Sequence, residues 1–259
     1  MANFKERIYG GEVVHGCWVN IGSTVSAEMM GRAGFDWVLI DLEHGAGNDA
    51  VMYQQLQVLQ STGTPVMVRT DQASRSRVQR ILDAGAHGIM FPQFQTPSEV
   101  QEAVRLMYYP PLGVRGMAKM IRATGFGSSA GDYLKNQERN IVSIIQIETL
   151  GALKEIDAIA ALQGVDVLFV GPSDLSMAMG IFGQLQHELY QKAIRDVSDA
   201  AKKHGKVAGV LLQDATEYEM YHRLGYRFLA CGSESSFLVK GAAEMVSQLD
   251  AKRKGGLNG

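Results

Sequence analysis

The chain has 259 residues, 46% of them apolar and 20% charged, the usage of an ordinary globular protein rather than a disordered or fibrous one. With 25 basic and 27 acidic residues the formal charge is −2, so there is no bulk electrostatic pull towards nucleic acid or an anionic membrane. Any anionic ligand must be met by a local site.

Eight short apolar runs follow one another along the chain, at residues 13–19, 37–40, 66–68, 89–91, 141–147, 167–170, 207–212 and 228–231. Most are continuous rather than alternating, as a parallel strand buried on both faces reads. Between them apolar residues recur at helical spacing, for example Val51, Leu56 and Leu59, or Val78, Ile81 and Leu82. Strand–helix alternation repeated eight times predicts a (β/α)8 barrel, filling residues 1–259 as one domain. The competing doubly wound open sheet normally carries a glycine-rich phosphate turn after its first strand, and Asn20-Ile21-Gly22-Ser23 is not one. The longest connection runs from 92 to 140. It holds a helix over 97–106, then Tyr108-Tyr109-Pro110-Pro111-Leu112-Gly113 and a Gly/Ser-rich stretch over 123–131. A connection of that length is expected to be functional, and the tail over 252–259 is expected to fray. Cys17 and Cys231 each lie in an apolar run and are expected to be free thiols. The start, MANFKERIYGG, lacks a signal-peptide core, and there is no run of 18 apolar residues. A soluble cytoplasmic protein without a membrane segment is therefore expected.

In a barrel the catalytic groups sit just after the strands. The second run is followed by Asp41-Leu42-Glu43-His44 and the third by Arg69. The fourth is followed by Pro92-Gln93, the fifth ends in Gln146-Ile147-Glu148, and the sixth leads into Gly171-Pro172-Ser173-Asp174. Carboxylates, one histidine and one arginine are thus expected at one rim, with no such collection at the opposite ends of the strands. Glu148 and Asp174, at the ends of adjacent strands, suit a hard divalent ion such as Mg²⁺ or Mn²⁺. The alternative is that they cap the helices that follow. Gln146 shares a strand face with Glu148 and would orient a metal-bound water. The backbone N–H groups of Ser173 and Asp174, at a helix start, would meet a carboxylate or phosphate. Arg69 adds a planar fork for oxygens, unless it only pairs with a neighbouring carboxylate. His44 is the one histidine at this rim and a natural general base. His15 and His87 fall at strand openings, and His187, His204 and His222 lie in helical stretches. No lysine falls at a strand end, which disfavours a Schiff base and favours metal-assisted enolate chemistry.

Taken together these segments resemble the metal-dependent 2-keto-3-deoxy acid aldolases of the HpcH/HpaI family. The resemblance is carried by Trp37-Val38-Leu39-Ile40-Asp41-Leu42-Glu43-His44, Pro65-Val66-Met67-Val68-Arg69, Leu82-Asp83-Ala84-Gly85-Ala86, Tyr109-Pro110-Pro111-Leu112-Gly113-Val114-Arg115-Gly116, Gln146-Ile147-Glu148 and Val170-Gly171-Pro172-Ser173-Asp174-Leu175-Ser176. It implies a lyase that cleaves a 4-hydroxy-2-oxo acid reversibly to pyruvate and an aldehyde, with Mg²⁺, Mn²⁺ or Co²⁺ as cofactor. It also implies a C-terminal helix exchanged between subunits, in a hexamer built as a trimer of dimers. Residue by residue, it makes Glu148 and Asp174 metal ligands and sets Arg69 on the keto oxygen. His44 becomes part of the acid–base apparatus with Asp83 as its partner, and the amides of Ser173 and Asp174 hold the carboxylate. Trp18 and Gln146 line the pocket. Two segments depart from the family pattern, Gly232-Ser233-Glu234 and Lys119-Met120-Ile121, and leave the aldehyde open. Asp83 ends the helix before the fourth strand, at the end of the barrel away from His44. The two can meet only if a neighbouring subunit supplies Asp83; otherwise Asp83 merely ends its helix. Other readings are a CoA-ester lyase of the citrate/malyl type, whose relatives carry aspartate where this chain has His44, and a barrel that binds a keto acid without turnover.

Overall fold

The structure, a computed structural model, describes residues 3–255. Eight parallel strands close into a barrel: β1 (Val14–Val19), β2 (Trp37–Asp41), β3 (Val66–Arg69), β4 (Gly88–Phe91), β5 (Val142–Ile147), β6 (Val167–Val170), β7 (Val207–Leu212) and β8 (Phe228–Ser233). Each pairs with the next, and β8 returns to β1. Nearly every strand residue is buried, because one face meets the barrel interior and the other the helices. That double burial is why the sequence shows continuous apolar runs.

Three boundaries differ from the sequence reading in a way that matters. β2 and β3 each continue one residue further, to Asp41 and Arg69, which lie opposite one another in the register. These charged residues finish strands rather than open loops, because each satisfies the other. β8 also runs on to Ser233. Gly16 pairs with Ala230 but Trp18 with Ser233, so β8 carries one extra residue, and Gly232 absorbs it with a φ of +70°.

Side-chain alternation fills the interior with Trp18, Trp37, Leu39, Met67, Met90, Ile144, Phe169 and Phe228. Trp37 stacks on Phe228 with centroids 4.2 Å apart, and Trp18 lies above, against Phe169 at 5.7 Å. The Trp37 ring occupies the space a Cβ on Gly16 would need. Burying such large side chains stabilises the fold by about 1.5–3 kcal/mol each. Phe4 and Ile8, from the helix Phe4–Tyr9, close the floor. That helix is held by Asp166, which accepts from the Tyr9 hydroxyl and pairs with the Lys5 ammonium, each at 2.8 Å.

The outer helices start as the sequence suggests. Ser74 caps the helix Arg75–Asp83, which buries Val78, Ile81 and Leu82. Thr96 and Glu99 form a capping box on the helix Pro97–Met107. This helix brings the long connection back to the N-terminal end of the barrel. The rest of the connection, including the turn Arg122–Thr124 and the helices Ala130–Lys135 and Gln137–Asn140, therefore packs there. Arg115 is fully buried in it, over the rings of Tyr109 and Tyr133 at 4.6 and 5.6 Å. The C-terminal helix Glu234–Gly255 starts on its own barrel, where Phe237 stacks on Phe35. From Ser236 onward almost all its side chains are exposed, Leu238, Val239, Met245, Val246 and Leu249 among them. Of the tail expected to fray, 252–255 complete this helix and 256–259 lie outside the described residues. Cys17 and Cys231 are free thiols. No helix among the described residues is long and apolar enough to cross a membrane.

Candidate active site

The C-terminal rim is organised around two pairings. Asp41 is buried, and its carboxylate accepts from Arg69 Nε at 2.9 Å and Nη2 at 2.7 Å, a bidentate fork. The same Asp41 Oδ1 accepts the backbone N–H groups of Glu43 and His44, at 3.1 and 3.3 Å. One carboxylate thus fixes both the arginine and the turn that carries the histidine. Arg69 Nη1 reaches Glu43 Oε2 at 3.0 Å, and the guanidinium lies 5.8 Å over the Trp18 ring. Burial acts to lower the Arg69 pKa, but the hydrogen bonds and charge of Asp41, with Glu43 and Glu148, more than reverse it and raise it. Arg69 does pair with a neighbouring carboxylate, as one reading allowed, and still turns towards the other acids of the rim. The His44 ring is exposed, with Nε2 3.9 Å from Glu43 Oε2.

Glu148 follows β5 and is buried. Its Oε1 accepts the Gln93 N–H at 2.8 Å and its Oε2 accepts from Gln146 Nε2 at 2.7 Å. Gln93 presents that N–H from a left-handed backbone, with φ 62°, an uncommon conformation for a residue with a side chain. Burial pushes the Glu148 carboxyl up to about 7. The Gln93 N–H opposes this, and the charges of Asp174 and Glu43 add to it. Burial likewise raises the Glu43 carboxyl, against Arg69. Glu148 does not cap the following helix; Thr149 does, accepting the Ala152 N–H at 3.0 Å. Asp174 is exposed in the first turn of the helix Pro172–Ala178, whose N-cap, Gly171, has no side chain to satisfy the first amides. A Cβ on Gly171 would come 2.7 Å from Glu148 Oε2, so glycine leaves the floor beside Glu148 open. Gln146 Oε1, buried, has no partner.

This donor set fits a hard cation. All the oxygens are carboxylate or amide. Burial, with the charges of Asp174 and Glu43 adding to it, pushes Glu148 towards neutrality, and an orphaned acceptor, Gln146 Oε1, lies beside it at the same strand end. Glu148 and Asp174 would offer two carboxylates rather than a closed cage: among the described residues no group of three or more His, Cys, Asp or Glu forms a ready ligand set. Two carboxylates with the remaining positions left to water and substrate is how Mg²⁺ is commonly held.

The rim therefore brings together Trp18, His44, Arg69, Gln146, Glu148, Ser173 and Asp174. Asp83 is not among them. It ends its helix at the other end of the barrel, where its carboxylate accepts from Arg115 Nη2 at 2.6 Å, so within one chain it does not meet His44. The sequence reading gave no role to Asp41, Glu43 or the Gln93 amide. Asp41 could have been found from the period of two in β2, which puts Trp37, Leu39 and Asp41 on the interior face. The expectation that the opposite end carries no collection of charged groups is also corrected. Lys5, Asp166, His87 and Arg122 gather there, because the N-terminal helix and the long connection both pack against it.

Comparison with known proteins gives consistent results. The family model described as "HpcH/HpaI aldolase/citrate lyase" matches residues 15–240. The hydroxypyruvate/pyruvate aldolase of Paraburkholderia phytofirmans is 34% identical over 251 residues, 95% of this chain and 96% of that protein. The 5-keto-4-deoxy-D-glucarate aldolase of Shigella boydii is 36% identical over 231 residues, 89% and 90% of the two chains. Among solved structures, an HpcH/HpaI aldolase/citrate lyase family protein from Burkholderia cenocepacia superposes with a TM-score of 0.90 at 34% identity, covering 95% of this chain and 98% of the other.

Proposed function

The chain belongs to the HpcH/HpaI aldolase/citrate lyase family, and on that premise we propose that it cleaves a 4-hydroxy-2-oxo acid to pyruvate and an aldehyde, reversibly and with a divalent metal ion. The observation that carries this reading is the rim itself: Glu148 and Asp174 beside an arginine held in a fixed fork and an exposed histidine. A CoA-ester lyase has no comparable support, since both relatives above are named aldolases.

A divalent ion held by Glu148 and Asp174 would act as a Lewis acid next to the keto and carboxylate oxygens of the substrate. The amides of Ser173 and Asp174 hold that carboxylate, and Trp18 and Gln146 bound the pocket. His44, exposed at the rim, takes up the proton of the 4-hydroxyl, directly or through water. The C3–C4 bond then breaks, the aldehyde departs, and the electron pair is left on the enolate of pyruvate. Arg69 stabilises the enolate oxygen, and because Asp41 fixes its plane beforehand, little reorganisation is needed as charge develops. Protonation at C3 gives pyruvate.

Incubation with a chelator should remove activity, and Mg²⁺, Mn²⁺ or Co²⁺ should restore it, with pyruvate release from a panel of hydroxy-keto acids as the assay. Full turnover without metal refutes the reading. Asp83 is proposed to act on His44 from a neighbouring subunit, in an oligomer whose C-terminal helices are exchanged. The apolar residues exposed along Glu234–Gly255 support that assembly. Mixing His44→Ala and Asp83→Asn proteins, each inactive, should restore activity through hybrid sites. No recovery after proven subunit exchange confines Asp83 to its own chain.

A further inference from the structure

A cavity of about 420 Å³ opens at the N-terminal end of the barrel, between the floor helix and the long connection. Its size is that of a small-metabolite site. Lys5, His87, Arg122, Tyr133, Arg139 and Asn140 line it, and among the described residues no Asp or Glu does. Lys5 and Arg139 have carboxylate partners, Asp166 and Glu6, which stand outside the lining. Arg122 differs. Its guanidinium donates to Ala84 O at 2.7 Å, to Leu56 O at 3.0 Å and to the Gln60 amide oxygen, all neutral acceptors. Its positive charge is therefore oriented but not cancelled. Gly85 makes the approach possible, since a Cβ there would come 2.9 Å from Arg122 Nη1. Burial lowers the Arg122 pKa, as expected of a cation short of counter-charge.

The other polar groups are arranged as donors. His87 Nδ1 accepts the Val66 N–H at 3.1 Å, which sets the neutral ring with its proton on Nε2. Tyr133 Oη accepts from Arg115 Nη1 at 3.1 Å, which leaves the hydroxyl proton free to donate. A pocket with one uncancelled guanidinium, two further cations and two fixed neutral donors suits a ligand that accepts hydrogen bonds and carries negative charge.

We infer that this cavity is a second ligand site, distinct from the catalytic rim, that binds a small organic anion through a carboxylate or phosphate group set against Arg122 and His87. Within one chain the two sites are separated by the packed interior around Trp37 and Phe228.

The test is isothermal titration of the metal-loaded protein, with saturating pyruvate present to fill the rim, using malonate and inorganic phosphate as separate probes. Saturable binding of one ion per chain is expected for at least one probe. Preference for phosphate points to phosphorylated metabolites and preference for malonate to dicarboxylates. In Arg122→Gln, affinity should fall about 10–100-fold, the loss of one charged hydrogen-bonding partner. Arg122 also ties down two carbonyls, so that variant can lose its fold. His87→Phe keeps Arg122, removes a donor and fills part of the cavity, and it should weaken binding at least as much. Absence of saturable binding of both probes to the unaltered protein, or binding undiminished in His87→Phe, overturns the proposal.

Discussion

At the C-terminal rim four carboxylates, Asp41, Glu43, Glu148 and Asp174, stand around one arginine. At the N-terminal end Lys5, Arg122 and Arg139 line a cavity with no acid among the described residues of its lining. The same barrel thus gathers acids around one cation at one mouth and leaves one guanidinium without a carboxylate partner at the other, while the formal charge of the chain is only −2. Composition reports the sum and hides the separation. The two ends are also tied down differently. Asp41, Arg69, Gln146 and Glu148 are held by buried pairs and backbone amides, so their geometry is set before any ligand arrives, while His44 and Asp174 stand exposed. At the other end Lys5 pairs with Asp166 largely out of solvent, Arg139 pairs with Glu6 at the surface, and Arg122 is held by neutral oxygens alone.

The contrast is tested hardest by removing the single cation of the acidic mouth. Arg69→Ala should cost about 3 kcal/mol of transition-state stabilisation, on the order of 10²–10³ in kcat. Steady-state pyruvate release measures it. A rise in KM with kcat unchanged would make Arg69 a uniform binder instead.

The second measurement asks whether the crowded acids strain the metal-free fold. Glu148 has its carboxyl raised from 4.5 to about 7, so between those values the folded chain binds more protons than the unfolded one. Stability is therefore complete below about pH 4.5 and declines as pH rises towards 7, by at most roughly 3 kcal/mol. Denaturant unfolding of chelated protein across this range should show the decline. Glu148→Gln should flatten it, and so should saturating Mg²⁺ in the unaltered protein. An equal slope in Glu148→Gln would assign it to other groups.

The smallest effect belongs to the basic end. Arg139 is largely exposed and pairs with Glu6 at the surface, so Arg139→Ala should change stability by less than about 1 kcal/mol. Thermal or denaturant unfolding checks this, and a larger loss would show that the floor helix depends on that pair.

The same contrast governs how much was legible in the sequence. The eight strands were readable because burial on both faces leaves continuous apolar runs. The rim residues were readable because strand ends in a barrel converge on one face, so adjacency along the chain translates into adjacency in space. The interior position of Asp41 was readable from the period of two along β2, but its pairing was not. It depends on its register opposite Arg69, and nothing in either segment alone encodes that. The left-handed backbone of Gln93 carried no glycine to announce it. The basic cavity was invisible because Lys5, His87 and the pair Arg122 and Arg139 come from three separate segments that meet only once the floor helix and the long connection have packed.

The missing side chain at Gly16 has a consequence for how this barrel can change over time. Because Trp37 fills that space, the two positions are epistatic. Alanine at 16 is excluded while tryptophan stands at 37, and a smaller residue at 37 leaves a void while glycine stands at 16. A lineage can leave this pairing only by passing through an overpacked or a hollowed interior, each costing on the order of 1–5 kcal/mol. The Gly–Trp combination is thus a kinetic trap in sequence space, lying directly beneath the ring that Arg69 rests on.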